Sequence, residues 1–300
     1  MAEVTIIIPL YNKQDSIRTT IESVLLQDFA DFELLVINDG SKDNSLEIVE
    51  SFKDERIRLI NKENEGVSKT RNRGAKEAKS DLIFFLDADD RIYPNCLSVL
   101  LKLHNDFPLA DLWSANYEKG YNTHLTKVLS DLPRGYVQDM SKMLWLRKWN
   151  FRTGSFLCTK SSFLESGGFP TTMTVGEDYF WMDNYCSKYI CAYDSSHVIM
   201  TYIFDTRGLS IASKPIQNYL EWHLDFTDKW GYRKLRYGEL LGISFFQLLL
   251  NRKFSEFKKL YAKQGEFFLY SIYALLRRSL RNITQKYESQ YIMEGGVKEL

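Results

Sequence analysis

Three hundred residues, 44% apolar and 26% charged, suffice for one large hydrophobic core or two modest ones. A formal net charge of zero excludes nucleic acid as a partner of the chain as a whole. The longest apolar stretch, Leu240 to Leu250, is about half of the roughly 20 residues that a spanning helix needs, so no membrane crossing is expected.

In chain order, Val4-Thr5-Ile6-Ile7-Ile8 reads as a buried strand closed by Pro9, which cannot continue a hydrogen-bonded ladder. Asp15-Ser16 caps a helix carrying Ile17, Ile21, Val24 and Leu25. Phe32–Asn38 is a second apolar strand, stopped at Asp39-Gly40-Ser41. A helix over about Asn44–Phe52, a strand at Ile57–Ile60, a Gly66-initiated helix to about Ala78 and a strand at Leu82–Leu86 follow. Strands that are apolar throughout and alternate with helices imply a parallel sheet covered on both faces. Beyond Asp90 the spacing predicts helix at Asn95–Asn105, strand at Leu112–Glu118 and helix at Met140–Trp149. Gly167-Gly168-Phe169-Pro170 then breaks the chain before a helix at Glu177–Lys188 and a strand at Val198–Phe204. From about Pro215 the pattern is helical. The expected organisation is a Rossmann-like α/β unit over 1–212, with a first half over 1–100 and a second over 101–212, then a helical region over 213–300.

Three strand ends converge at the carboxyl edge of such a sheet, where ligands of open α/β folds sit. They are Pro9-Leu10-Tyr11-Asn12, Asn38-Asp39-Gly40-Ser41 and Asp87-Ala88-Asp89-Asp90. An Asp-x-Asp at a strand end can hold Mg²⁺ or Mn²⁺ against a diphosphate, because hard cations take carboxylate and phosphate oxygens. Tyr11 can stack on a base, Asp39 can accept from a base N–H, and Arg71 can supply charge to the same nucleotide. No glycine-rich phosphate loop or Walker-type Gly-Lys-Ser/Thr is present, so metal rather than a loop would neutralise the diphosphate. Glu177-Asp178 opens a helix: acids there suit the helix dipole, and one aimed into a cleft can serve as a general base. Tyr179, Phe180 and Trp181 beside it read either as core or as a floor for a sugar ring.

The ordered series Ile8-Pro9-Leu10-Tyr11-Asn12, Val36-Ile37-Asn38-Asp39-Gly40-Ser41, Asn64-Glu65-Gly66 with Arg71-Asn72, Phe85-Leu86-Asp87-Ala88-Asp89-Asp90 and Glu177-Asp178 closely resembles family 2 glycosyltransferases over roughly residues 3–210. The resemblance implies the GT-A fold and inverting transfer from a nucleotide sugar, usually a UDP-sugar, with Mn²⁺ or Mg²⁺ as cofactor. Carried over by position, Pro9, Tyr11, Asn12, Asp39, Arg71, Asp87 and Ala88 would bind the nucleotide sugar and Asp89 would ligate the metal. Asp178 would be the catalytic base, with Glu177 its neighbour. Family members often carry Gln-x-x-Arg-Trp after the base, associated with processive synthesis; it is missing here, so transfer of one sugar is expected. In the late Tyr202–Ser210 stretch, Asp205 stands where many members have a histidine metal ligand. Arg207 there, with Trp181, is a candidate for acceptor contact.

The charge balance hides an asymmetry. Gly231–Lys286 holds twelve Lys/Arg against three Glu, a formal +9, while residues 287–300 carry −2 and residues 1–230 the remaining −7. In this basic tail Phe and Tyr are interleaved with the cations, which reads either as a helical cap burying its aromatics or as an amphipathic surface for anionic lipid. On the second reading the acceptor is a lipid-linked saccharide, as in assembly of bacterial-type surface polysaccharides. Four cysteines without Cys-x-x-Cys spacing, and a start without a charged leader, point to a cytoplasmic protein, peripheral on the inner membrane face if the tail binds lipid. A sugar-nucleotide pyrophosphorylase would want a glycine-rich basic loop where Tyr11-Asn12-Lys13-Gln14 stands. A catalytically silent nucleotide-sugar binder has no chemical need for Asp39, Asp87, Asp89 and Asp178 together.

Overall fold

The computed structural model describes residues 2–121, 124–128, 132–146, 149, 151–203, 223–226 and 231–279. They fall into two compact units, Met1–Ala212 and Ser213–Leu300. In the first, β1 (Val4–Leu10), β2 (Phe32–Asp39), β3 (Ile57–Lys62) and β4 (Leu82–Phe85) alternate with α1 (Ile17–Leu25), α2 (Ser45–Glu50) and α3 (Val67–Glu77). These four strands are parallel in the order β3-β2-β1-β4. The chain continues through β5 (Arg91–Ile92), α4 (Cys96–Asp106), β6 (Leu112–Tyr121), β7 (His124–Val128), β8 (Gly135–Tyr136) and α5 (Met140–Leu146). Then come β9 (Phe156–Thr159), α6 (Lys160–Glu165), α7 (Glu177–Cys186) and β10 (Cys191–Ile203). All ten strands join one sheet, which extends from β4 as β9-β6-β10-β5 with mixed polarity.

Strand side chains alternate faces, and here both faces are core. Ile6, Ile8 and Leu10 pack with α1 and α4 on one side. Ile7, with Ile83 and Phe85, packs against Ala75 of α3, Phe163 of α6 and Trp181 of α7 on the other. The approach of α3 is close enough to demand glycine: a β-carbon on Gly74 would lie 2.3 Å from Ile7 Cγ2.

Several expectations are corrected. β1 does not stop at Pro9 but runs to Leu10. Ile7 accepts from the Leu86 N–H on the β4 side, so Pro9 faces that side too, beyond the last β1–β4 pair Ile7↔Phe85, and its missing N–H deprives no strand. Ser16 occupies the N-cap position of α1 but makes no capping bond; its hydroxyl donates to the Ala88 carbonyl at 3.0 Å instead. β9 and α6 went unforeseen because each is very short. β10 begins at Cys191 rather than Val198: register shifts between Asp194 and Thr201 absorb the polar Asp194-Ser195-Ser196-His197, which had hidden the first half of the strand.

Glu33 ties this half together away from the strand ends that carry the acids. Its carboxylate accepts from Arg58 Nε at 2.6 Å, Thr5 Oγ1 at 3.1 Å and the Lys79 N–H at 3.4 Å. Burial raises its pKa, but Arg58, Thr5 and Lys79 outweigh that and hold it below the usual 4.5. A carboxyl held low in the folded state stabilises the fold above its unfolded pKa, and the contribution fades as pH falls through the folded value. Glu33→Gln is expected to cost about 2 kcal/mol at pH 7 and much less at pH 3. Urea midpoints at both pH values test this, and an equal loss at each refutes the ion-pair account.

The second unit contains α8 (Gly231–Leu250), α9 (Phe254–Gln264), a 3₁₀ turn at Gly265–Phe267 and a helix over 268–279, here α10. Phe245 packs on Phe257 and Phe268 with ring centroids 5.3 and 5.1 Å apart, and Phe226 stacks on Phe267 at 4.1 Å. Leu241, Leu260 and Ala274 are buried, and Arg278 pairs with Glu239 at 3.1 Å. Among the described residues no helix is long and apolar enough to cross a membrane.

Candidate active site

The strand order reverses at β1: β2 and β3 lie on one side of it and β4 on the other. Beyond Ile7 and Phe85 the two strands no longer pair, and such a switch point is the crevice where doubly wound sheets bind ligands. The Asp87–Asp90 turn follows β4 at this point. It is closed by the Asp90 N–H donating to the Asp87 carbonyl at 3.1 Å, and it is held to α1 by Ser16 and Thr20, both donating to the Ala88 carbonyl. Ala88, itself buried, serves through its backbone.

The centre of the site is Arg71, buried on α3. Its Nη2 donates to Asp87 Oδ1 at 2.6 Å and its Nη1 to Glu177 Oε1 at 3.3 Å, while its guanidinium lies 5.1 Å from the Phe169 ring centroid. One cation, itself 106 residues from Glu177 in sequence, thus joins the end of β4 to the first turn of α7. Asn72, the next residue, fixes the loop that delivers α7. Its side chain accepts from the Phe169 N–H at 2.8 Å and donates to the Phe169 carbonyl at 2.7 Å. Gly168 in that loop has φ +65°, and a β-carbon on it would come within 2.5 Å of the Asn72 side-chain oxygen. The Gly-Gly-Phe break in the sequence is therefore a docking joint as well as a helix stop.

Charges in the crevice are unbalanced. Burial raises the Asp87 carboxyl, but Arg71 and the Thr153 hydroxyl, which donates at 2.8 Å, outweigh it and keep the group below its ordinary range. Asp89 goes the other way: burial and the charge of Asp87 raise it, and Lys13, 2.5 Å away, offsets this only in part. Asp90 is fully buried, with Oδ1 accepting from the Ile203 N–H at 3.0 Å; burial, Asp87 and Asp89 raise it well above its ordinary value. Glu177 is raised by burial and by Asp178, against the pull of Arg71. Asp178 is half-buried and accepts from the Tyr179 N–H at 2.8 Å. It lines a narrow pocket with Arg152, Thr153, Tyr179, Trp181 and Met182.

The remaining expected residues fall into place unevenly. Tyr11 is exposed at the end of β1, open to stacking. Asn12, at φ +52°, accepts from the Lys42 N–H at 2.8 Å, while its own N–H donates to Ser41, so it struts the β1 and β2 loops together. Asp39 is buried: Lys62 and the Glu65 N–H bond its Oδ1, and the Gly66 N–H donates to its Oδ2 at 2.9 Å. Trp181 is a core ring, 2% exposed, packed on Phe156, Phe163 and Phe169, and its Nε1 donates to Ser166 Oγ at 3.0 Å. Only its margin borders the pocket, so the sugar-floor reading gives way to core packing. Asp205 and Arg207 lie outside the described residues.

Four contributors were not legible beforehand: Lys13, Lys62, Arg152 and Thr153. Each sits in an ordinary loop or strand-end sequence and acquires its role only through a partner distant in the chain. Arg152 is a case in point. Its guanidinium lies 3.9 Å from the Tyr202 ring centroid, and its Nε has no hydrogen-bond partner among the described residues. Burial lowers its pKa, but the phenols of Tyr117 and Tyr202 together with Asp178 outweigh that and hold the cation charged.

A divalent cation fits this donor chemistry. Asp89 offers a partly accessible carboxylate whose pKa is raised by burial and by its anionic neighbour Asp87. Among the described residues no group of three or more His, Cys, Asp and Glu comes together as a ready-made metal site. Oxygens beyond Asp89 would have to come from a ligand and water, as is usual for Mg²⁺ beside phosphates.

Comparison with known proteins agrees with this geometry. YibD of Escherichia coli, described as an uncharacterized glycosyltransferase, is 40% identical over 103 residues, 34% of this chain and 30% of that protein. EpsH of Bacillus subtilis, a putative glycosyltransferase by its description, is 32% identical over 146 residues, 48% of this chain and 42% of its own length. This chain therefore spans well under half of either relative. The GalNAc(5)-diNAcBac-PP-undecaprenol beta-1,3-glucosyltransferase of Campylobacter jejuni is 26% identical over 224 residues, 73% of this chain and 72% of that enzyme. Among solved structures, S. aureus TarS 1-349 in complex with UDP-GlcNAc superposes with a TM-score of 0.63 at 17% identity, covering 89% of this chain and 73% of TarS, a likeness of fold. Residues 5–179, which hold the strand ends, Arg71 and Glu177-Asp178, match the model of glycosyl transferase family 2, and the chain belongs to that family.

Proposed function

We propose that this glycosyltransferase is inverting and moves one sugar from a UDP-sugar to a saccharide or lipid-linked saccharide acceptor. The observation that carries the reading is Arg71, which bridges Asp87 and Glu177 and so sets the β4 turn beside the first turn of α7. Donor-binding carboxylates and a candidate base thereby share one crevice. The UDP-GlcNAc complex of TarS supports a UDP-sugar donor, and the glucosyltransferase of C. jejuni, with an undecaprenol-linked glycan in its name, supports a lipid-linked acceptor.

In this reading Tyr11 stacks on the base, and Asp39 Oδ2, which takes one bond from the chain, accepts from a base N–H. Asp87, held by Arg71 and Thr153, orients the ribose. Asp89 and the diphosphate oxygens would hold Mn²⁺ or Mg²⁺, which supplies charge neutralisation on the leaving group. Asp178 takes the proton of the acceptor hydroxyl as that oxygen attacks the anomeric carbon from the face opposite the diphosphate. Arg152 lines the same pocket as Asp178.

The test is release of nucleoside diphosphate from a panel of UDP-, GDP- and dTDP-sugars, with Mn²⁺ and with chelator. Release from one UDP-sugar, lowered at least about 100-fold by chelator or by Asp89→Asn, is expected from the share of transition-state charge a metal carries. Full activity in chelator refutes the metal assignment. Absence of both turnover and calorimetric UDP binding refutes the donor assignment.

A further inference from the structure

The second unit resolves the two readings of the basic tail by splitting its aromatics. Phe226, Phe245 and Phe267 are packed within the unit. A second set faces outward. At the corner between α8 and α9, Phe246, Leu249, Leu250 and Phe254 are all exposed, Leu250 by 66%. On α10, Leu269, Ile272, Tyr273 and Leu276 are exposed as well, Leu269 by 79%. Their spacing of i, i+3, i+4 and i+7 is that of one helix face. The opposite face of α10 carries buried Ser271 and Ala274. Ser271 and Ala274 also lie against Gly238 and Gly242 of α8, where an added β-carbon would come within 2.9 Å of the Ala274 Cβ and the Ser271 carbonyl. α10 is therefore fixed in rotation, and its apolar stripe cannot turn inward.

Exposed apolar surface of this extent marks an interaction site. Its charge selects the partner. Residues 231–279 hold ten Lys/Arg against three Glu, a formal +7, and Arg252, Lys258, Lys259, Lys263 and Arg277 are exposed. A second copy of this unit would bring the same charge and be repelled. An anionic bilayer surface satisfies both features, since it takes Phe, Leu and Tyr at the depth of the headgroups and attracts the cations around them.

We propose that the α8–α9 corner and the outer face of α10 dock on anionic lipid, with Phe246, Leu250 and Phe254 entering the headgroup layer. Among the described residues no helix is long and apolar enough to cross the bilayer, so the unit would lie on it. The proposal is independent of the transfer chemistry, though a lipid-linked acceptor would sit at the same surface.

The test is co-sedimentation of the full chain with vesicles of phosphatidylcholine alone and of phosphatidylcholine with phosphatidylglycerol. Partitioning at least about tenfold stronger onto the anionic vesicles is expected, weakened by 0.5 M NaCl. The triple substitution Phe246→Glu, Leu250→Glu and Phe254→Glu changes only exposed positions and is expected to lower partitioning at least tenfold while leaving the thermal midpoint unchanged. Arg252→Glu with Lys258→Glu should remove the preference for anionic lipid. Equal partitioning onto both vesicles, or none, overturns the proposal. So does a dimer seen by light scattering that the triple variant abolishes without any vesicle binding. Donor turnover of the same samples in lipid-free buffer reports the transferase reading separately.

Discussion

Asp178→Asn is expected to lower kcat for sugar transfer by about 10²–10⁴-fold, the range for loss of a general base, while UDP binding stays within about twofold. Asn has the shape of Asp and keeps an oxygen for the Tyr179 N–H that Asp178 accepts, so the first turn of α7 has no reason to unfold. It cannot take a proton from an acceptor hydroxyl. In the proposed function donor binding rests on Tyr11, Asp39, Asp87 and Asp89, which the substitution does not touch. Initial rates with saturating donor, set beside a calorimetric UDP titration, separate the two quantities. A variant retaining more than a tenth of wild-type kcat would show that the base lies elsewhere. A matching loss of UDP affinity would show that Asp178 holds the donor rather than the acceptor proton.

The second large effect concerns Arg71. Arg71→Ala leaves Asp87 and Glu177, both largely buried, without the cation they share. Removing one partner of a buried ion pair costs about 3–5 kcal/mol, because the remaining charge keeps its desolvation penalty. The Phe169 ring also loses the guanidinium beside it. A loss of this size in urea-derived stability is expected, together with loss of transfer activity, since the tie between the β4 turn and α7 is gone. The Arg71→Ala/Asp87→Ala double variant should recover part of the stability, with a coupling of about 1–3 kcal/mol. A single-variant loss below about 1 kcal/mol would mean that α7 is seated by Asn72 and the aromatic core alone.

These two residues also mark how far sequence reasoning reaches. Asp178 was legible as a candidate because a Glu-Asp pair after a glycine break opens a helix, and because the carboxylates at the strand ends come in a recognisable order. Arg71 was legible only as a candidate charge for a bound nucleotide. That it instead binds a second carboxylate 106 residues away was not, since no local pattern encodes a partner at that distance. Asp39 shows the same division: its place at the end of the second strand was read from sequence, yet Lys62 and the Glu65 and Gly66 N–H groups that engage it became visible only once β3 and the start of α3 were packed. Trp181 was left open between core and sugar platform, and the fold decided for core by packing it among Phe156, Phe163 and Phe169.

What the sequence determined by itself is the succession of β1 to β4 with their helices, the acids at the strand ends and the charge contrast between body and tail. These are local or additive properties: apolar period, turn chemistry and a count of charges. What only the tertiary structure decided is which groups meet. Lys13 faces Asp89, Thr153 bonds Asp87, Asn72 clamps the loop before α7, and Phe246, Phe254, Tyr261 and Tyr273 of the tail turn outward while Tyr237 and Phe245 are buried. Periodicity tells which face of an element is apolar, but what covers that face, and which charge a buried residue finds there, is set by long-range closure of the chain.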